Sequence, residues 1–432
     1  MKRAPCVCLL LYAAGVRGQI ATQEAARAFA EARQLSERDG GELWGRTLYG
    51  PMMFIEPGSR TIVTNEPDEG GRLEQVTEGV YQSALPENVG IANTAQEWSG
   101  KRWTSVIWPL PSDAADRSRL LVHELFHRIQ PELGLELSNP PNGHLDKRDG
   151  RVWMRLEWRA LARALGSEGA TRKQAIADAL SFRAQRRSLF DNAAEQERQL
   201  ELNEGLAEYT GLRIAASNPS EAMRRAAVAL GDAEKNQTFT RAFAYASGPA
   251  YGLLLDDARP DWRAEVARRP DLGGLLGSAI GHAPPTDPDK SVAEAASRYG
   301  ADEITIAEDE RWQRHRRQIA EATARFVDGP VLVLPIVGDM RYTFDPRGVM
   351  ALEGHGQVHQ RVTVRDTWGR LEVQSGGALL MRDADGKMLS WRVPVTANVT
   401  GAPMHGDGWE LMLNNGWRLE PVQNASYTVV GE

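Results

Sequence analysis

At 432 residues the chain is longer than one hydrophobic core ordinarily serves, so two or more domains are expected. Its 51 Lys and Arg against 58 Asp and Glu give a net charge of −7, which argues against nucleic acid or an anionic membrane as the main partner. The only two cysteines are Cys6 and Cys8, so neither a disulfide framework nor a cysteine metal site is expected, and any metal ligands must be His, Asp or Glu.

Residues 1–18 read as a secretory signal peptide. Lys2 and Arg3 supply the charged start, Ala4 to Gly15 a short apolar run, and Val16-Arg17-Gly18 a cleavage site before Gln19. That run is too short to span a bilayer, and no later stretch approaches the required length. An exported chain, periplasmic or secreted, with no membrane span after processing is expected. Processing would remove both cysteines and leave 48 basic against 58 acidic residues, a net charge of −10.

Residues 20–38, rich in Ala, Glu and Arg, predict an exposed helix or ordered arm. From Leu43 to Pro111 the pattern is that of strands. Thr47–Glu56 and Thr61–Asn65 flank the turn signal Pro57-Gly58-Ser59-Arg60, and Ile91–Trp98 and Trp103–Leu110 flank Ser99-Gly100-Lys101-Arg102. The second hairpin leads into the most informative stretch, Leu120-Leu121-Val122-His123-Glu124-Leu125-Phe126-His127. Its His-Glu-x-x-His spacing places His123 and His127 on one helix face, able to hold one metal ion. Glu124, at the edge of that face, can take a proton from a water molecule that the metal activates. Ser112 and Asp113 offer an N-cap, Asp116 suits the first turn, and Pro131 stops the helix. The alternative is a buried helix whose histidines are merely hydrogen-bonded. A sheet edge beside such a helix suits an extended peptide added as a strand, or only builds core.

After a Pro/Asn/Gly-rich loop, Ser138 to Gly143, helices are expected at Arg151–Leu165, Thr171–Leu189 and Ala193–Ala216. Others follow at Ala222–Leu230, Thr238–Leu255 and Ala301–Phe326, with Gly/Pro-rich loops near 272–289. The cluster Arg183, Arg186 and Arg187 reads as a solvated face. Residues 329–432 change to short alternating strands punctuated by Asp385-Gly386 and Asn415-Gly416, a small all-β sandwich or barrel. His355, His359 and His405 fall there and read as surface histidines. No internal repeat is present.

A catalytic zinc needs a third protein ligand and an open position. No histidine follows His127 at the compact spacing, since position 130 is Gln and position 133 is Leu. The candidate is Glu204 in Leu202-Asn203-Glu204-Gly205-Leu206-Ala207-Glu208-Tyr209. His144, Asp146 and Glu157 are further possible ligands without that context. Asn-Glu-Gly-x-Ala-x-Tyr downstream of His-Glu-x-x-His resembles the glutamate-ligand zinc peptidases, the gluzincins, with wording closest to the M1 aminopeptidases. The resemblance implies Glu204 as third zinc ligand and Glu124 as general base. Behind the ligands it implies Glu208, and by extension Asn203, as hydrogen-bond acceptors that orient the ligand histidines. Tyr245-Ala246-Ser247-Gly248 is similar to the family's Tyr-x-x-Gly segment, which implies Tyr245 as an oxyanion donor, with Tyr251 as competitor. Seventy-six residues separate His127 from Glu204, far more than in M1 enzymes. Gly90-Ile91-Ala92-Asn93-Thr94 lacks the acid with which those enzymes grip a free amine, so aminopeptidase specificity is not implied.

The expectation is an α+β chain. A gluzincin-like catalytic domain would fill 19–328, β-rich over 43–111 and helical over 112–328, followed by the all-β domain 329–432. It would hold one zinc ion and hydrolyse a peptide or protein substrate. The alternatives are a zinc hydrolase of another carbonyl compound and an exported binding or scaffold protein on the same fold.

Overall fold

The structure, a computed structural model, describes residues 20–135, 137–268, 271–282, 288–345, 348–395 and 402–431; the expected signal peptide lies outside them. The fold is mixed α and β, with an N-terminal sheet, a run of helices and a C-terminal all-β region. Two compact units divide between Glu308 and Asp309, within the helix Ala301–Thr323. Among the described residues no helix is long and apolar enough to cross a membrane.

The first unit opens with α1, Thr22–Asp39. The expected helix is present, but one face of it is not exposed: Ala25, Ala28, Phe29, Ala32 and Leu35 form a buried stripe, and Phe29 stacks on Phe54 at 4.5 Å. Most of the stripe is alanine, which hides its amphipathic character in a polar composition. Six strands follow: β1 Met52–Ile55, β2 Thr61–Thr64, β3 Glu74–Thr77, β4 Val80–Ala84, β5 Thr94–Trp98 and β6 Lys101–Ile107. They form one sheet in the order β3-β4-β2-β1-β6-β5, with β1 and β6 parallel and every other pair antiparallel. Ser99 (φ 47°) and Gly100 (φ 86°) close the β5–β6 hairpin in two residues, both left-handed, which matches strand twist. β5 is therefore an edge strand.

Chain leaving β6 enters α2, Ala114–Ile129, which packs back on β5 and β6. Asp113 caps it, accepting from the amides of Ala115 at 3.0 Å and Asp116 at 2.9 Å. Then come α3 Arg148–Leu165, α4 Gly169–Ser188, α5 Ala193–Leu200, a π-helical turn Glu201–Gly205, α6 Leu206–Ala215, α7 Pro219–Ala233 and α8 Ala242–Ala258. α6 lies close against α2: a Cβ on Gly211 would come within 2.6 Å of the Arg119 carbonyl oxygen. Leu272–Ile280, expected as loop, is a helix that buries Leu272, Leu275 and Leu276, and this apolar burial outweighs the poor helix propensity of its three glycines.

The arginines of α4 correct another expectation. Arg183 and Arg186 are buried, not solvated. Arg186 makes paired bonds to Glu197 at 2.7 and 2.8 Å and also binds Glu157; Arg183 donates to Glu201 at 2.8 Å; Arg187 reaches Glu197 at 2.8 Å and Asp271 at 2.7 Å. Charge pattern alone does not tell a wet face from one matched by acids on neighbouring helices. This network ties α3, α4 and α5 to the first residue of the π-helical turn.

In the second unit a seven-stranded sheet runs from Trp417–Pro421 to Val349–Leu352, and a five-stranded sheet from Met404–Gly406 to Arg341–Phe344. Leu332, Leu334, Leu380 and Trp391 of the first share one core with Val364, Leu371, Trp409 and Leu411 of the second. His359 is only 1 % exposed and is ringed by Tyr342, Phe344 and Trp391, so it is not a surface histidine. His405 is exposed and His355 half-buried.

Candidate metal centre

His123 and His127, one turn apart on α2, bring their Nε2 atoms to 3.2 Å from each other. Glu204 Oε2 lies 3.5 Å from His123 Nε2 and 3.6 Å from His127 Nε2, and all three side chains are buried. A tetrahedral zinc bound at its usual distances spaces its donors roughly 3.3–3.5 Å apart. The donor set of two imidazoles and a carboxylate, with this spacing, therefore fits one divalent ion.

The far side of each ring is held. His123 Nδ1 lies 2.9 Å from Glu208 Oε2, and Glu208 is in turn ion-paired with Arg119. His127 Nδ1 lies 2.9 Å from Gln130 Oε1. Each Nδ1 thus donates outward, so it is the Nε2 atoms that face Glu204 and that a metal would take once they are unprotonated. Glu204 is anchored through its other oxygen, Oε1, which accepts from Arg241 Nη2 at 3.0 Å.

Two glycines explain how Glu204 gets there. Gly205 in the π-helical turn and Gly248 in α8 touch backbone to backbone: a Cβ on Gly248 would fall 2.3 Å from Gly205 Cα. That approach delivers Tyr245, one turn before Gly248, to the site, where its hydroxyl donates to Glu204 Oε2 at 2.5 Å and its ring stacks 5.6 Å from His123. The Asn-Glu-Gly and Tyr-x-x-Gly segments are the two halves of a single helix contact. A π-helical turn is a common local device at functional sites, since it re-aims side chains within a continuous helix.

Glu124 is 2 % exposed, its Oε1 4.0 Å from His123 Nε2, and its Oε2 has no hydrogen-bond partner. A buried carboxylate oxygen left unsatisfied is costly in a purely structural role. Burial pushes its carboxyl above the usual range, more than the two histidines pull it down. For His123 burial opposes protonation, but Glu204, Glu208 and Glu124 outweigh it and raise the ring to about 10 when no cation is bound. Burial likewise opposes the Glu204 carboxylate, yet the adjacent His123 and His127 rings hold it well below the ordinary range.

Other candidates are engaged elsewhere. Tyr251 donates to Glu157 at 2.8 Å, His144 pairs with Glu197 at 2.9 Å, and Asp146 accepts from the Phe239 amide at 2.7 Å. Asn203, expected to orient a ligand histidine, instead donates to the Ser138 carbonyl at 3.1 Å and to Asn139 at 3.2 Å, because Gln130 already occupies His127. Sequence reasoning passed over Arg119, Gln130 and Arg241. Arg119 precedes His123 by four positions and Gln130 follows His127 by three, so both share the ligand face; Arg241 carries no comparable signal. A cavity of about 80 Å³ opens beside the cluster, lined by Asn93, Thr94 and Ala95 at the start of β5 with His127, Glu204 and Arg241. No family model, curated protein or solved structure matches this chain.

Proposed function

We propose that this chain is an exported, gluzincin-type zinc peptidase that hydrolyses peptide bonds. The observation that carries the reading is the buried Glu124, whose Oε2 has no hydrogen-bond partner among the described residues, beside three convergent donors, His123, His127 and Glu204. A zinc ion held by those three would act as a Lewis acid on the substrate carbonyl and make water easier to deprotonate. Glu124 accepts the proton of the attacking water and returns it to the leaving nitrogen, so the peptide bond gains one water overall. The Tyr245 hydroxyl, which lies on Glu204 Oε2 beside the cluster, would donate to the oxyanion and so stabilise charge that exists only in the transition state. Edge strand β5, whose first residues line the cavity, is placed to take an extended peptide as an added strand. The leader-like N-terminus supports a periplasmic or secreted location.

Metal analysis of the purified protein should find close to one zinc per chain, lost in His123→Ala and Glu204→Ala. Glu124→Gln should keep the zinc and abolish cleavage of a mixed peptide library followed by mass spectrometry. Full activity in Glu124→Gln would refute the mechanism, and a wild type that takes up no zinc would refute the metal centre.

A further inference from the structure

The two ligand histidines are oriented by different chemistry. His123 faces a carboxylate that is itself ion-paired, whereas His127 faces the neutral amide of Gln130, at the end of its own helix. Gln130 is fully buried. Its Nε2 donates to the Leu202 carbonyl at 3.2 Å and lies 3.5 Å from Asn203 Oδ1. Leu202 and Asn203 are the two residues before Glu204 in the π-helical turn. One side chain therefore touches both segments that supply metal ligands.

We propose that Gln130 is a positioning residue that clamps these segments together, its oxygen fixing His127 and its nitrogen fixing the turn that carries Glu204. The orientation of the amide follows from its partners. A backbone carbonyl only accepts, so the end facing Leu202 must be the NH₂ group, and the end facing His127 must be the oxygen. An oxygen there requires the proton on His127 Nδ1, which leaves Nε2 available to a metal. The need for a clamp follows from the chain. Seventy-six residues separate His127 from Glu204, so no local geometry sets their spacing. Glutamine is suited to this place because it accepts at one end and donates at the other. A glutamate would keep the contact to His127 but set a charged oxygen against the Leu202 carbonyl and Asn203 Oδ1. A methionine would fill the space and make neither bond.

The inference rests on the metal reading but not on peptidase activity, so its test reads metal affinity. Zinc is titrated against a competing chelator into the full-length wild type, Gln130→Met and Gln130→Glu. Circular dichroism and the melting temperature in excess chelator establish that each chain is folded. Gln130→Met is expected to bind zinc about 10–100-fold more weakly, the range for losing a partner behind a metal ligand, with Gln130→Glu recovering only part of the loss. Wild-type affinity in Gln130→Met overturns the proposal, as does a lower melting temperature in chelator with unchanged affinity, the signature of a merely structural role. Full affinity in Gln130→Glu also overturns it, because the His127 contact alone would then suffice. Should Gln130→Met not fold, the near-isosteric Gln130→Glu decides on its own. A wild type that binds no zinc removes the metal reading and this inference with it, whereas zinc binding without peptide cleavage leaves the clamp standing.

Discussion

Replacing Gly248 by alanine tests whether one backbone contact builds the site. The new Cβ would fall 2.3 Å from Gly205 Cα and 2.6 Å from that residue's carbonyl carbon and oxygen. Carbon atoms rest at about 3.5–4.0 Å from each other, so α8 and the π-helical turn must separate by roughly 1 Å or more. Every atom met is backbone, and no side-chain rotation relieves the clash. Tyr245 rides on the displaced turn of α8, and Glu204 on the other side of the contact. A misplacement near 1 Å costs on the order of 10²-fold in rate, about 2.7 kcal/mol of activation free energy, and overpacking adds about 1–3 kcal/mol of lost stability. The assay is kcat/KM on a peptide found by the library screen, beside the melting temperature. Gly231→Ala is the control: it sits on an exposed part of α7, with nothing within 4 Å of a Cβ, and should gain up to ~1 kcal/mol while activity stays unchanged. A folded Gly248→Ala with wild-type kcat/KM would refute the account of how Glu204 and Tyr245 are brought together.

Two predictions concern protons. Burial disfavours the Glu197 carboxylate, but Arg186 outweighs it, with His144 and Arg187 adding to the effect, and holds the group well below 4.5. A depressed folded pKa stabilises above the unfolded value and loses that stabilisation as pH falls towards the folded one. Denaturant midpoints should therefore drop below about pH 4.5, and Glu197→Gln should flatten that dependence while costing ~3–5 kcal/mol at neutral pH by leaving buried guanidinium charge unpaired; an unchanged pH profile in the variant would count against the network. The second concerns His123, raised to about 10 in the cation-free protein and so protonated at pH 8. Zinc requires the neutral ring, so binding at pH 8 should release about one proton, seen as a dependence of calorimetric enthalpy on buffer ionisation. Binding with no proton release would contradict the assigned charge state.

The amino-acid sequence alone determined the local parts of this protein. Spacing of four put His123 and His127 on one face, Asp113 and Pro131 bounded their helix, and turn chemistry marked both N-terminal hairpins and the change to strands near residue 329. Those signals act within a few residues, through periodicity, capping and backbone φ, and they survive whatever the rest of the chain does. What needed tertiary structure was everything set by distant partners. The burial of α1, the helix at Leu272–Ile280 and the buried arginines of α4 depend on neighbours that composition does not reveal. The same holds in the site. Glu204 and Tyr245 could be nominated from short motifs, but only the Gly205–Gly248 contact places them together, and only packing gives His127 to Gln130 rather than Asn203. Spacing along one helix is a property of the chain, whereas the meeting of α2, the π-helical turn and α8 is a property of the fold.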